Sequence, residues 1–247
     1  MKSPLIALLR TGVITQREMF PDLPDEAIGL PTLAKSLCVN DDCRACETSC
    51  PTSAITVSGS DVTLDRGLCI GCGACQNTCP SGVIVRDLST KTAVISRDEL
   101  ILTNRADIRE PAKPPKLPFA RSLHIREVST GDNASDLEIL ATTNAIFDIA
   151  RFGVHFVASP RFADALLITG PVGRAMHEPL RRCYDAMAEP RIVIAVGTSA
   201  ISGGVFGGGY ANANGVSAIL PVSCFIPGDP PHPWSITHGI LLAMGRI

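Results

Sequence analysis

Eight of the ten cysteines of this chain lie within residues 38–79, at spacings that suit metal binding. They form two sets of four, each followed by a proline: Cys38, Cys43, Cys46 and Cys50, then Cys69, Cys72, Cys75 and Cys79. Thiolates three residues apart in a tight loop can bind three corners of a cubane iron–sulfur cluster, and a fourth thiolate then comes from elsewhere in the chain. The two sets therefore predict two [4Fe–4S] clusters.

The second set resembles the CxxCxxCxxxCP run of bacterial two-cluster ferredoxins at every position, whereas the first has two extra residues between Cys38 and Cys43. In those ferredoxins the cysteine before the proline binds the other cluster. The resemblance implies a crosswise assignment. Cluster 1 is then bound by Cys38, Cys43, Cys46 and Cys79, and cluster 2 by Cys69, Cys72, Cys75 and Cys50.

Two zinc sites are the alternative, because repeated CxxC pairs also bind zinc. Zinc would leave the third cysteine of each set and the CxxxCP ends without a role, so iron–sulfur clusters are the interpretation we favour. The longer first loop carries Asp41 and Asp42, which either lower the potential of cluster 1 or form a surface insertion; we favour the insertion. Cys183 and Cys224 stand alone and are expected to pack as small apolar residues.

The residues around the second set suggest how the clusters are enclosed. Gly71 and Gly73 would let the backbone approach the inorganic core closely. An apolar shell would help to set the reduction potential, and we predict that it consists of Ile55, Val57, Ile70, Ile84 and Val85.

The composition narrows the class of protein. With 247 residues, 45% of them hydrophobic, the chain can bury sizeable cores, and ten cysteines in a reducing compartment favour metal binding over disulfides. A net charge of −2, with basic and acidic residues evenly mixed, gives no clustered positive field for nucleic acid. The longest apolar stretch near the start, residues 4–9, is too short to span a membrane and precedes no signal-peptide cleavage pattern. We expect a cytoplasmic protein without a transmembrane segment of its own.

The chain divides into four parts. We predict an N-terminal extension (1–30), a two-cluster α+β ferredoxin-like domain (31–102), a proline-rich linker (103–118) and an α/β domain with an open parallel sheet (119–247).

Short apolar runs predict the strands of this second domain. They are residues 123–128, 165–169, 192–196 and 219–222. Apolar residues at helical spacing within 176–187 predict a helix that connects two of these strands, and residues 234–244 predict a closing helix.

The second domain also resembles a known family. The segments ASPRFADALLITGPVGRAMHEPLRRCYDAMAEPRIVIAVGTSAISGG and ILPVSCFIPGDPPHPWSITHGILLAMG resemble the proximal iron–sulfur subunit of respiratory complex I and membrane-bound nickel–iron hydrogenases. The ending GILLAMG is closer to the hydrogenase and formate hydrogenlyase branch. The N-terminal LLRTGVIT is similar to the ferredoxin-like subunit of the same complexes. The resemblance implies a flavodoxin-like fold that docks on a large catalytic subunit and holds one further [4Fe–4S] cluster.

This chain departs from the family at the positions that would bind that further cluster. The turn GDNASDLE lacks both expected cysteines and offers Asn133 and Ser135, while Ser199 and Asp229 replace the third and fourth. Hard oxygen donors match iron–sulfide corners poorly. We therefore predict that the proximal cluster is absent, that Cys183 and Cys224 do not replace it, and that the four positions form a hydrogen-bonded plug. A new polar pocket is the alternative.

The leading hypothesis is an electron-transfer subunit, without a catalytic site, of a membrane-associated hydrogenase-like or complex I-like oxidoreductase. Its partners would be a large catalytic-type subunit and, indirectly, membrane-arm subunits, at the cytoplasmic face of the membrane. The second hypothesis is a structural or assembly subunit whose C-terminal domain conducts no electrons. The third is a soluble enzyme that binds a substrate or flavin at the lost cluster site. The run GGVFGGGYANANG lacks the lysine of a phosphate-binding loop, and we interpret it as a surface loop.

Overall fold

A computed structural model describes residues 18–36, 38, 43–105, 112, 114, 118–131 and 133–247. The N-terminal LLRTGVIT, Asp41 and Asp42, and most of the predicted linker lie outside these residues. Two units of secondary structure follow one another along the chain, separated by the segment around the linker.

The first unit contains two small antiparallel sheets that flank two short helices. In chain order its elements are β1 (Leu30–Leu33), α1 (Ala45–Thr48), β2 (Ile55–Ser58), β3 (Asp61–Asp65), α2 (Ala74–Thr78), β4 (Ile84–Asp87) and β5 (Ile101–Thr103). Strand β1 pairs with β4, and β3 lies between β2 and β5. Both helices carry cysteines, and Ser49 and Thr78 at their ends approach to 3.2 Å between hydroxyl oxygens. The two cysteine sets are thereby brought side by side.

The second unit is built on a five-stranded parallel sheet. Its strands are β6 (Leu123–Ser129), β7 (Val154–Phe156), β8 (Ala165–Thr169), β9 (Ile192–Val196) and β10 (Cys224–Ile226), in the spatial order β10-β9-β8-β6-β7. Numbered within this unit the order is 2-1-3-4-5 from the β7 edge, which is the flavodoxin-like order. The predicted α/β fold class is confirmed.

Helices cover both faces of this sheet, so β8 and β9 are buried at every position. The helices are α3 (Ser135–Ala141), α4 (Arg174–Asp185), α5 (Thr198–Ser202) and α6 (Pro233–Ala243). Short 3₁₀ turns lie at Arg97–Leu100, Ile149–Phe152, Pro160–Phe162, Gly204–Phe206 and Val216–Ala218. Helix α6 begins at a proline, and the His232 ring accepts a hydrogen bond from the amide of Trp234. Both features are typical of a helix start.

Three of the four strand predictions and both helix predictions agree with this fold, but the fourth strand was placed wrongly. Residues 219–222 follow a 3₁₀ turn, and the strand comes immediately afterwards at Cys224–Ile226. Pro221 has no amide hydrogen to donate to a strand ladder. Strand β7 was missed because it has only three residues and includes the exposed His155 at the sheet edge.

The two units pack against each other. Val94 and Phe225 exchange backbone hydrogen bonds of 2.9 and 2.8 Å, which adds one bridge to the β10 edge of the parallel sheet. Phe20 is buried in the core of the second unit, edge-on to Trp234 and His238 at 6.3 and 5.3 Å between ring centroids. Residues N-terminal to the linker therefore complete the hydrophobic core of the second unit.

The half-buried His238 makes this contact sensitive to acid. Burial, aided by the charge of Lys91, lowers the pKa of His238 from 6.5 to about 4. As the pH falls below 6.5 the unfolded chain takes up the proton first, so stability is lost from there downward. We expect up to about 2 kcal/mol of stability to be lost between pH 7 and pH 5 through this residue. Unfolding followed by Trp234 fluorescence should show a smaller loss in His238→Gln than in wild type; equal losses would contradict the prediction.

Candidate metal centre

Two of the four ligands predicted for cluster 1 lie beside the same hydroxyl. Cys46 lies in α1 and is buried, and Cys79 ends α2. The Ser81 hydroxyl oxygen lies 3.7 Å from the sulfur of Cys38 and 3.5 Å from that of Cys79. The first cysteine of one set thus lies beside the last cysteine of the other.

The second group lines a single cavity in the ferredoxin-like unit. Its four cysteines are Cys50, Cys69, Cys72 and Cys75, which are the residues of the predicted cluster 2. The backbone amide of Ala54 donates to the Cys50 sulfur at 3.2 Å, and that of Gly71 donates to the Cys69 sulfur at 3.4 Å. Amide donors aimed at sulfur stabilise the thiolate form that a metal requires.

The charges of the thiolates interact within the same two groups. Burial, with smaller contributions from the other thiolates of the cavity, raises the pKa of Cys69 and Cys75 to about 11. Burial likewise raises the pKa of Cys46, with smaller contributions from Cys79 and Cys38. Without a cation, several thiolates in so small a space repel one another. Positively charged iron would offset that repulsion, so the donor set fits an iron–sulfur cluster.

Cys79 differs from its neighbours. Burial alone would raise its pKa, but hydrogen bonds from the backbone amide of Ile84 and from Ser81 outweigh that effect and lower it. The protein therefore stabilises at least one thiolate of the first group by its own donors. Among the described residues, no three cysteine, histidine or acidic side chains come close enough to hold a single metal ion.

The surroundings agree in part with the predicted enclosure. Gly71 and Gly73 have φ angles of 67° and 74°, and a Cβ at Gly73 would lie 3.1 Å from the Ile28 side chain. Ile55, Val57 and Ile84 are buried, whereas Val85 is exposed and the prediction for it was wrong. Alternate residues of a strand face opposite sides, so Ile84 inside places Val85 outside.

The two isolated cysteines lie on opposite faces of the parallel sheet. Cys224 is fully buried against α6, its sulfur donates to the carbonyl of Gly239 at 3.4 Å, and burial raises its pKa to about 12. Cys183 packs into the core on the α4 side. Because the parallel sheet lies between them, these two thiols have no common site.

The four substituted positions meet at the carboxyl ends of β6, β9 and β10. The Asn133 side-chain amide donates to the carboxylate of Asp229 at 3.3 Å, and the amide of Ser135 donates to the Asn133 side-chain oxygen at 3.2 Å. Ser135 and Ser199 are buried, with relative exposures of 0% and 1%. In open α/β sheets this edge, next to the point where strand order reverses, is where ligands bind.

These side chains form an incompletely bonded polar cluster. Burial raises the pKa of Asp229, and the nearby Asn133 and Ser199 partly offset the shift. Ser199 and Ser135 nevertheless have hydroxyl oxygens that lie outside hydrogen-bonding geometry with any residue the structure describes. The donors here are hydroxyls, an amide and a carboxylate, so they do not fit an iron–sulfide cubane.

Thr198 is a site residue that the sequence analysis missed. Its hydroxyl donates a 2.7 Å hydrogen bond to the carbonyl oxygen of Cys69, and the side chain is fully buried. The signal in the sequence is its position two residues after a buried strand, at the start of α5 and next to Ser199. Its partner, 129 residues earlier, could not be read from any local pattern.

Comparisons with known proteins agree with this division into two units. Residues 37–83 match the 4Fe-4S dicluster domain, and residues 133–243 match the family described as NADH ubiquinone oxidoreductase, 20 Kd subunit. The probable membrane-bound hydrogenase subunit mbhJ of Pyrococcus furiosus is 40% identical over 131 residues, which are 52% of this chain and 78% of that protein. The chain belongs to the 20 Kd subunit family. The resemblance inferred from the sequence is thereby confirmed.

Other relatives of this 20 Kd family member differ in length. Formate hydrogenlyase subunit 7 of Escherichia coli K12 is 37% identical over 163 residues, and the match spans 66% of this chain but only 61% of that protein. The membrane-bound sulfane sulfur reductase, an archaeal respiratory membrane complex, has a chain 28% identical to this one. That superposition covers 52% of this chain and 72% of the other, with a TM-score of 0.47.

The two family matches also cover the sites described above. The dicluster match contains all eight cysteines of the two sets, and the 20 Kd subunit match contains Thr198 and the four polar positions. In the part of the chain that the structure describes, no helix has the length and apolarity to cross a bilayer.

Substitution of Gly197, which precedes Thr198, tests how tightly the polar cluster is packed. It has φ 88° and ψ 154°, and a Cβ there would lie 2.7 Å from the Ser135 hydroxyl oxygen. Gly208 has φ 75° with nothing within 4 Å of its position for a Cβ. We expect Gly208→Ala to cost about 1 to 2 kcal/mol and Gly197→Ala about 1 to 3 kcal/mol more. Thermal unfolding of the two variants measures the difference, and equal costs would mean that the cluster is loosely packed.

Proposed function

We propose that this protein is an iron–sulfur electron-transfer subunit of a membrane-associated, hydrogenase-like or complex I-like oxidoreductase. It would carry two [4Fe–4S] clusters in its ferredoxin-like unit. The observation that carries the proposal is the grouping of buried and half-buried thiols, with Cys38 and Cys79 beside one hydroxyl and Cys50 in one cavity with Cys69 and Cys75. This grouping supports the crosswise arrangement expected of two paired cubane sites.

Bound clusters would supply one-electron oxidation and reduction, which no amino-acid side chain in the site supplies. The residues of the chain position the clusters and regulate their environment. Cys38, Cys43, Cys46 and Cys79 would hold one cluster, and Cys50, Cys69, Cys72 and Cys75 the other. The amides of Ala54 and Gly71 stabilise sulfur charge, and Ile55 and Ile84 exclude water.

The proposal includes the loss of the proximal cluster from the C-terminal unit. Asn133, Ser135, Ser199 and Asp229 stand at the four expected ligand positions and offer no thiolate. The hydrogen bonds of Asn133 to Asp229 and to the Ser135 amide support a plugged site. The two unpaired hydroxyls support the alternative of a polar pocket, and flavin analysis of the purified protein tests whether such a pocket holds a cofactor.

The C-terminal unit would dock a large catalytic-type subunit. Leu137 and Leu140 lie on one face of α3 and are 68% and 65% exposed, and Ile146, just beyond the helix, is 72% exposed. Exposed apolar side chains of this size are typical of surfaces that a partner covers. The names of two relatives, a hydrogenase subunit and a formate hydrogenlyase subunit, support a partner of this kind.

Several finer points are part of the same proposal. The ferredoxin-like domain would comprise residues 31–102, the linker 103–118 and the docking domain 119–247. The complex would place this subunit at the cytoplasmic face of the membrane, in indirect contact with membrane-arm subunits.

A second candidate function is that of a structural or assembly subunit whose C-terminal unit conducts no electrons. The absence of thiols from the four polar positions favours it for that unit. The two functions are compatible, since the ferredoxin-like unit can carry electrons while the C-terminal unit holds the assembly together.

Iron and acid-labile sulfide analysis of the full chain, purified without oxygen, tests the cofactor content. We expect about eight iron atoms per chain, because two cubane clusters contain that number. About twelve iron atoms per chain would indicate that the proximal cluster is present. Bound zinc in place of iron would overturn the proposal.

Paired alanine substitutions test the crosswise assignment. If Cys38 and Cys79 bind the same cluster, the double variant Cys38→Ala/Cys79→Ala should keep about four iron atoms. The double variant Cys38→Ala/Cys50→Ala should then lose both clusters. A parallel assignment gives the opposite pattern, and Cys183→Ala serves as the control that keeps all of its iron.

A further inference from the structure

One buried hydrogen bond joins the second cysteine set to the carboxyl edge of the parallel sheet. The Thr198 hydroxyl donates to the carbonyl of Cys69 at 2.7 Å, with both groups inside the protein. Thr198 is itself fixed, because its amide donates to the carbonyl of Gly228 at 2.8 Å. A single residue thereby connects the loops after β9 and β10 to a cysteine of the ferredoxin-like unit.

The same loop of the ferredoxin-like unit faces the substituted cluster positions. Ile70 and Gly71 line a cleft of about 310 Å³ together with Gly228 and Asp229 of the loop after β10. Ser199, another of the substituted positions, follows Thr198 directly. The loop that carries Cys69, one of the predicted ligands of cluster 2, therefore lies next to the polar positions of the C-terminal unit.

We infer that Thr198 is a positioning residue for Cys69, a predicted ligand of cluster 2, and that its hydroxyl raises the midpoint potential of that cluster and not of cluster 1. The inference rests on the proposed function, since it presupposes a cluster at these cysteines. It goes beyond that function by giving a residue of the C-terminal unit a part in setting the potential of a cluster in the ferredoxin-like unit.

The physical effect of the bond follows from its direction. The hydroxyl hydrogen places positive charge against the carbonyl of a ligand residue in a buried, low-dielectric environment, where such contributions are strong. Removing it leaves the negative end of the Cys69 carbonyl dipole unbalanced near the cysteine sulfur. Reduction of the cluster bound by Cys69 is then less favourable, so the midpoint potential of that cluster falls.

The experiment uses the full chain with its clusters, and it compares four variants. Thr198→Val keeps the shape and removes the hydroxyl, and Thr198→Ala removes it with a smaller side chain. Thr198→Ser keeps the hydroxyl. Thr237→Val is the matched control, because Thr237 is equally buried and its hydroxyl bonds only within α6, to the carbonyl of Pro233 at 2.9 Å.

Redox titrations followed by electron paramagnetic resonance report the two clusters separately. We expect Thr198→Val and Thr198→Ala to lower the midpoint potential of one cluster and leave the other unchanged. Thr198→Ser and Thr237→Val should match wild type. The double variant Thr198→Val/Cys38→Ala should lack cluster 1. Its remaining signal should still show the lowered midpoint potential, which identifies that signal as cluster 2.

Three results would overturn the inference: unshifted potentials in both hydroxyl-free variants, equal shifts of the two clusters, or the same shift in Thr237→Val. Iron content distinguishes these failures from a failure of the proposed function. Protein with about eight iron atoms and no selective shift refutes only the role of Thr198. Protein without iron refutes both.

Discussion

The cost of ionising buried thiols is the constraint on which the N-terminal half of this molecule depends. Cys69 and Cys75 have pKa values near 11 because burial and neighbouring sulfur charge both disfavour ionisation. The polypeptide brings these groups together through two short helices, a left-handed turn at Gly73 and amide donors. Such an arrangement is costly without a cation and favourable with one. The geometry of the loops is therefore meaningful mainly as a support for metal.

The frame of the C-terminal unit is determined separately from the chemistry of its loops. The parallel sheet directs the loops after β6, β9 and β10 to one edge, as the flavodoxin-like order requires. The side chains at the four positions on those loops are polar oxygen and nitrogen groups, and only some of them bond to one another. The buried strands fix the frame, whereas the loop side chains are single positions that can differ without disturbing the core.

Much of this could be predicted from the sequence. The cysteine spacing and the buried runs that became β6, β8 and β9 are local patterns with direct physical meanings. The strand at Cys224–Ile226 was misplaced because an apolar run beside Pro221 resembles a strand. Val85 was misassigned because only the paired register decides which face of β4 is inside. The packing of Phe20 against Trp234 and the bond from Thr198 to Cys69 join distant segments, and no local pattern reports such contacts.

The backbone bridge between Val94 and Phe225 has a consequence for assembly. An open edge strand offers unpaired amides and carbonyls to any other chain, and so invites aggregation or strand exchange. Here the β10 edge is blunted by a segment of the same polypeptide, while the opposite edge, β7, has only three residues. Neither edge of the parallel sheet therefore offers a long unpaired strand to another chain. Any neighbouring chain would therefore recognise side-chain surfaces and loops, which would leave the sheet intact when a complex forms or comes apart.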